Sequence, residues 1–73
     1  MKERLIEIKA ENLSSNDLFK VDFTKSICSL NGISYKYGRV SIGINYYENG
    51  EQYTIISGDT IVKLIKGKKW QRN

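Results

Sequence analysis

The last fifteen residues, DTIVKLIKGKKWQRN, combine the residue types that bind phosphate and stack on nucleic-acid bases. Around the only tryptophan, Trp70, five cations fall within ten residues: Lys63, Lys66, Lys68, Lys69 and Arg72. Residues 1–58 carry as many basic as acidic groups, so residues 59–73 hold the whole net charge of +4. Cations beside a stacking surface are typical of single-strand binding. In the alternative interpretation Trp70 packs on the fold and the lysines are simply solvated.

Five tyrosines form a second group of candidate contact residues. In a regular strand Tyr35 and Tyr37 would share one face, whereas Tyr46 and Tyr47 would point to opposite faces, so one of that pair must face outward. Exposed tyrosines near Arg39 are typical anchors of a protein interface and can also stack on bases. Packing of the rings across the sheet is the alternative. The candidate partner-binding residues are therefore Tyr35, Tyr37, Arg39, Tyr47, Lys66, Lys68, Lys69, Trp70 and Arg72.

Residues that could perform catalysis or bind a metal are scarce. The chain has no histidine, which is the commonest general base near neutral pH and the commonest metal ligand. A single cysteine cannot build a Cys/His zinc site, and GKK at residues 67–69 lacks the upstream glycine and the following Ser or Thr of a phosphate-binding loop. The carboxylates show no spacing that pairs an acid with a base. We therefore expect no catalytic residue, no metal and no cofactor, and a protein that is not an enzyme.

The only cysteine, Cys28, has two interpretations. A reactive thiol needs a lowered pKa, and Lys25 is the one cation near it in sequence. A buried small hydrophobe is favoured, because free cysteines are among the most buried residues. One cysteine forms no intramolecular disulfide, and MKERLIEIKA lacks the apolar run of a signal peptide or membrane span, so we expect a cytoplasmic protein with no membrane partner.

Alternation of apolar and polar residues predicts strands along most of the chain. Residues 4–10 form the first, and residues 40–46 form the clearest half-buried strand, with Ile42 and Ile44 in the core. Between the first two strands, clustered Asn, Ser and Asp predict a loop with one short helical turn near residues 13–18. Residues 60–66 fit either a helix that Asp59 would cap or a strand, and the β-branched run at residues 60–62 favours the strand.

Asn-Gly pairs predict where the strands reverse. Asn31-Gly32 and Asn49-Gly50 each suit a tight hairpin turn with positive φ angles, Gly58-Asp59 suggests a third turn, and Gly38 suggests a bend. A chain of 73 residues has room for one core, so residues 1–73 form a single domain with a basic C-terminal segment at 59–73. The predicted fold is mostly β: an antiparallel meander of about five strands, closing into a small SH3-like or OB-like barrel or a curled sheet.

These features predict a non-enzymatic protein-binding module. A duplex-binding domain spreads its cations over one face, whereas here the body is neutral, and the basic segment suits a partner with an acidic surface. Ile, Lys, Asn and Tyr supply 30 of 73 residues, and their AT-rich codons suggest a phage or mobile element of a low-GC bacterium. Such a domain would act as an accessory factor or inhibitor by covering a partner. The alternative is a nucleic-acid-binding barrel that uses the tail and tyrosines, and a homodimer by edge-strand pairing is also open.

Overall fold

The computed structural model describes residues 4–69, with side chains described to residue 67, and this part of the chain contains six antiparallel strands and one 3₁₀ turn. The 3₁₀ turn is Ala10–Asn12. The strands are β1 (Arg4–Lys9), β2 (Asp17–Lys20), β3 (Cys28–Lys36), β4 (Arg39–Tyr47), β5 (Glu51–Ser57) and β6 (Ile61–Lys69). The predicted mostly-β class is confirmed, with six strands in place of about five.

All six strands belong to one sheet in the order β1-β6-β2-β3-β4-β5, which curls into a half barrel. Strands β2 to β5 follow one another as a meander, and β6 returns to pair between β1 and β2. The segment that could have been helix or strand is therefore a strand. Within residues 4–69, β1 and β5 are the edge strands of the sheet.

The core lies inside the curl, where alternate residues of the strands meet. Ile42 and Ile44 are fully buried, as their alternation predicts, and Phe19 and Val62 face them from β2 and β6. Cross-strand pairs set this arrangement: Leu30 lies opposite Ile44, and Phe19 opposite Leu64. The remaining buried members of the cluster are Ala10, Leu13, Val21 and Cys28.

The prediction for Asn31-Gly32 is wrong, because both residues lie inside β3. Gly32 has no positive φ, and the register shifts between Leu30 and Gly32, which marks a β-bulge. The chain instead reverses at Tyr37-Gly38, where the bend at Gly38 was expected. This later turn gives β4 a partner of equal length and pairs Leu30 and Ile33 with the two core isoleucines, so strand pairing overrides the local turn preference.

The other predicted turns are present. Asn49 and Gly50 have φ angles of 56° and 111°, and with Glu48 they connect β4 to β5. The chain also turns at Gly58-Asp59. The helical turn, expected near residues 13–18, forms at Ala10–Asn12 instead, because Asp17 organises the next residues: Ser14 N–H donates to Asp17 Oδ2 at 2.8 Å and Asp17 N–H donates to Ser14 O at 3.0 Å.

Gly58 joins three parts of the fold, and we call its contacts the Gly58 junction. Its N–H donates to Val40 O at 2.8 Å, and its carbonyl accepts from Glu11 N–H at 3.0 Å. Ala10 N–H donates to Thr60 O at 2.8 Å beside it. A Cβ on Gly58 would lie 2.9 Å from Val40 Cβ, so only glycine allows this approach without displacing β4. The junction therefore ties the end of β5 to β4 and to the 3₁₀ turn.

Replacing Gly58 by Ala should lower the free energy of unfolding by about 1 to 3 kcal/mol, the cost of forcing extra volume into a packed site. Gly32→Ala is the matched control, because no atom lies within 4 Å of a Cβ there and its φ is not positive. We expect the control to stay within about 0.5 kcal/mol of the wild type. Urea unfolding of the three proteins measures both values, and equal destabilisation of the two variants would contradict the junction.

Candidate binding surface

The β3–β4 hairpin extends past the strands on either side of it. Strand β2 pairs with β3 only at Cys28 and Ser29, and the paired part of β5 ends opposite Ser41. Residues 35–39, which we call the hairpin tip, therefore continue as a two-stranded ladder, in which Lys36 pairs with Arg39. The tip projects from the sheet on a hydrogen-bonded base.

Three predicted contact residues meet at the hairpin tip. Tyr37 is 98% exposed and Tyr35 is 74% exposed, while Lys36 and Arg39 are exposed beside them. Tyr37 lies in the turn and not in a strand, so the prediction that it shares a strand face with Tyr35 is wrong. The tip places two tyrosine rings and two cations within five residues, all open to a partner.

Tyr37 adopts a backbone conformation that bulky residues rarely adopt. Its φ is 51° and that of Gly38 is 71°, so both central residues of the turn are left-handed, as a type I′ turn requires. Asn and Gly are the preferred residues there, and a left-handed L-residue costs roughly 1 to 2 kcal/mol. The side chain is almost fully exposed, so packing within the described residues does not offset this cost. The fold alone gives no reason for a tyrosine at this position.

A cleft of about 530 Å³ lies beside the tip, between the hairpin, the end of β5 and the 3₁₀ turn. Arg39 lines it together with Glu11 and Asp59, which are also exposed. Gly58 and Val40 line it too, so the Gly58 junction adjoins the cleft. The surface next to the tip therefore carries charges of both signs.

The other predicted contact residues lie away from the tip. Tyr47 is exposed, but it ends β4 eight residues from Arg39, about 26 Å along a strand. Its carbonyl accepts a hydrogen bond from the Ser26 hydroxyl, and its own hydroxyl lies 3.5 Å from Glu51 Oε1. Lys66 is exposed on β6 opposite Arg4. The structure therefore does not bring these residues together with the hairpin tip.

The tail is only partly within the described residues. The backbones of Lys68 and Lys69 complete β6, whose last residue pairs with Asp17, while their side chains lie outside the description. Trp70 and Arg72 lie outside the described residues, so their predicted roles stay predictions.

A second exposed patch, on the outer face of β5, was not predicted. Tyr53 and Ile55 are 55% and 60% exposed, and both point away from the core. Tyr53 covers Gly43 of the neighbouring strand, with its hydroxyl oxygen 2.8 Å from where a Cβ on Gly43 would be, and Gly43 pairs with Gly32. The two glycines leave a groove of about 240 Å³ along this face. Alternation in QYTIIS places Tyr53 and Ile55 on one face but gives no sign that this face is exposed.

Two observations bear on metal binding and on thiol chemistry. Within residues 4–69 no group of three or more His, Cys, Asp or Glu side chains is placed to hold a metal ion. Cys28 is a fully buried member of the core, and burial raises the pKa of its thiol from 9.0 to about 11. A thiol of this kind is protonated and inert at neutral pH. The buried interpretation of Cys28 therefore holds.

Comparison with known proteins gives no guide to function. No family model matches the chain, no curated protein matches its sequence, and no solved structure matches its fold. None of the described residues forms a helix with the length and apolarity needed to cross a bilayer. Function must therefore be inferred from the chain's own surface.

Tyr37→Asn should raise the free energy of unfolding by about 1 kcal/mol, because Asn-Gly is the preferred pair for a type I′ turn. Tyr35→Asn is the matched control. It removes a similarly exposed ring from a strand with no positive φ, where Asn is disfavoured, so it should not stabilise. Chemical denaturation measures both. A Tyr37→Asn variant less stable than the wild type would show that the ring supports the fold.

Proposed function

We propose that this chain is a non-enzymatic protein-binding module whose hairpin tip anchors a partner protein. The observation that supports it most is Tyr37, a ring that is 98% exposed on a residue with φ of 51°. Unfavourable backbone conformations of this kind concentrate at binding and catalytic sites, where the function needs the residue. A tyrosine kept at a position that favours Asn or Gly indicates a contact outside the chain.

The chemistry of the tip suits a protein partner. Tyrosine and arginine are enriched among the residues that contribute most to protein interfaces. Tyrosine offers a large contact area at low entropic cost because only two side-chain torsions must be fixed. Pairing of Tyr35 with Val40 and of Lys36 with Arg39 holds the tip before binding, which reduces the ordering cost of association.

The charges beside the tip favour protein over nucleic acid. Glu11 and Asp59 line the same cleft as Arg39, and their carboxylates would repel a phosphate backbone that followed the cleft. A protein partner can present acidic groups to Lys36 and Arg39 and basic or donor groups to the carboxylates. Such a partner would be covered at its surface, which is how a phage or mobile-element accessory factor or inhibitor would act.

A nucleic-acid-binding role is the second candidate, and one observation favours it. Residues 34–41, SYKYGRVS, interleave two tyrosines with two cations and contain no acidic residue. A single strand could stack bases on the rings while its phosphates meet the cations.

Capture of a partner from a low-GC bacterial lysate tests the proposal when it is repeated with two variants. Tyr37→Asn should lose the partner by about 30-fold or more in affinity, the effect of removing an anchor worth about 2 kcal/mol. Because this change should stabilise the fold, loss of binding cannot be ascribed to unfolding. Tyr47→Asn removes an exposed tyrosine at the far end of β4 and should leave binding unchanged.

Nuclease treatment and an oligonucleotide titration separate the two candidates. A protein complex should survive nuclease, and the wild type should show no oligonucleotide affinity that falls with salt. Oligonucleotide binding that weakens between about 50 and 200 mM salt and is lost in Tyr37→Asn would establish the second candidate in place of the first. A protein complex that Tyr37→Asn retains in full would contradict the assignment of the tip.

A further inference from the structure

Strand β5 is an edge strand without the usual protection against pairing. It pairs with β4 through seven consecutive residue pairs without a bulge, and its sequence, EQYTIIS, has no proline and no basic residue. Edge strands are normally shielded by charged side chains, bulges, proline or a covering segment. The other edge, β1, carries three charges at Arg4, Glu7 and Lys9. Among the described residues β5 is therefore the less protected edge, with a single charge, at Glu51.

The Ser57 end of β5 lies beside the 3₁₀ turn, and the rest of its free side has no strand partner among the described residues. Among the described backbone hydrogen bonds outside the ladders, the one that involves β5 runs from Thr60 N–H to Ser57 O, at its last residue. Glu51, Gln52 and Ser57 are exposed, and so are two large apolar side chains, Tyr53 and Ile55, which lie together on the outer face. Unpaired backbone groups next to apolar side chains form a template for another strand.

We infer that β5 pairs antiparallel with β5 of a second copy of this chain, about a two-fold axis at Thr54. The two half barrels then join edge to edge into one continuous sheet. Thr54 of each copy faces the other, Tyr53 lies opposite Ile55 of the second copy, and Glu51 lies opposite Ser57 of the second copy.

Side-chain chemistry selects this register over its neighbours. In a symmetric antiparallel pair, the side chains that lie opposite one another point to the same face of the sheet. The two-fold axis must therefore pass through a residue, and the neighbouring registers place it at Ile55 or at Tyr53. With the axis at Ile55, the ladder within β5 would shorten to residues 53–57, and Glu51 would lie beside the turn that carries Asp59 of the second copy, where like charges repel. With the axis at Tyr53, Glu51 would face the apolar Ile55. The axis at Thr54 gives two aromatic–β-branched pairs and opposes no like charges.

The dimer leaves the hairpin tips free. Each hairpin tip lies beyond the Ser57 end of β5, and antiparallel pairing sets the two Ser57 ends at opposite sides of the axis. The dimer would therefore present two tips that point in opposite directions. A failure of dimerisation leaves the function of a single tip unaffected, so the two proposals fail independently.

Cysteine cross-linking tests the axis directly. In the proposed register the two Thr54 Cα atoms lie about 4.5 to 5.5 Å apart, within the range of a disulfide. Thr54→Cys should therefore convert to a covalent dimer under mild oxidation. Gln52→Cys, on the same face of β5, is the matched control, because the two Gln52 residues are separated by four residues along the strands, about 13 Å. Buried Cys28 does not compete. A Gln52→Cys variant that cross-links as fast as Thr54→Cys would overturn the register.

Sedimentation equilibrium tests the interface without a disulfide. The wild type should sediment as a dimer at high micromolar concentration, and Ile55→Lys, which places a charge on the edge, should sediment as a monomer with an unchanged circular dichroism spectrum. Leu5→Lys makes the same change at an exposed position of the β1 edge and should remain a dimer. A monomeric wild type that also fails to cross-link through Thr54→Cys would overturn the inference.

Discussion

The Gly58 junction is the contact on which the shape of this molecule depends. The sheet order puts β5 at one edge and β6 next to the other, yet only residues 58–60 connect them. So short a connection is possible only if the sheet curls until its two sides meet. The hydrogen bonds from Gly58 to Val40 and from Glu11 to Gly58 fix that curl. A chain of this length buries only a small core, so its stability depends on the curl that encloses Phe19.

The same junction supports the hairpin tip. Val40 accepts the Gly58 hydrogen bond on one side and pairs with Tyr35 on the other, so the base of the tip is held by β5 and by the 3₁₀ turn. Because the ladder is fixed at its base, the two residues between its strands, Tyr37 and Gly38, must form a tight turn. Tyr37 can therefore remain in an unfavourable conformation, because the surrounding pairs determine it.

Local patterns predicted the elements whose signals agree with their pairing. Alternation alone placed Ile42 and Ile44 in the core, and Asn49-Gly50 forms the turn that its residue types favour. Asn31-Gly32 shows the limit of such signals: the same dipeptide lies within a strand, because turning at Tyr37-Gly38 gives a longer ladder. No local sequence pattern reports how many cross-strand pairs a given turn position allows. The place of β6 between β1 and β2 is equally non-local.

The candidate site was predictable to the same extent. Tyr35, Tyr37 and Arg39 meet because they are neighbours in sequence, and a hairpin keeps neighbours together. Nothing in the sequence separated Tyr47 from the other predicted contact tyrosines, but it lies at the far end of β4 from Arg39. The exposure of Tyr53 and Ile55 follows from the curl of the sheet, which puts the opposite face of β5 toward Ile42 and Ile44, and not from the segment itself.

Native-state amide hydrogen exchange at the Gly58 junction tests this account most directly. The N–H groups of Gly58 and Glu11 donate the hydrogen bonds that hold the curl. If the half barrel depends on them, both should exchange only through global unfolding, with the same opening free energy as the buried core amide of Ile42. Exchange of Gly58 and Glu11 through local fraying, while the amide of Ile42 stays fully protected, would show that the sheet keeps its curl without the junction and would contradict the account.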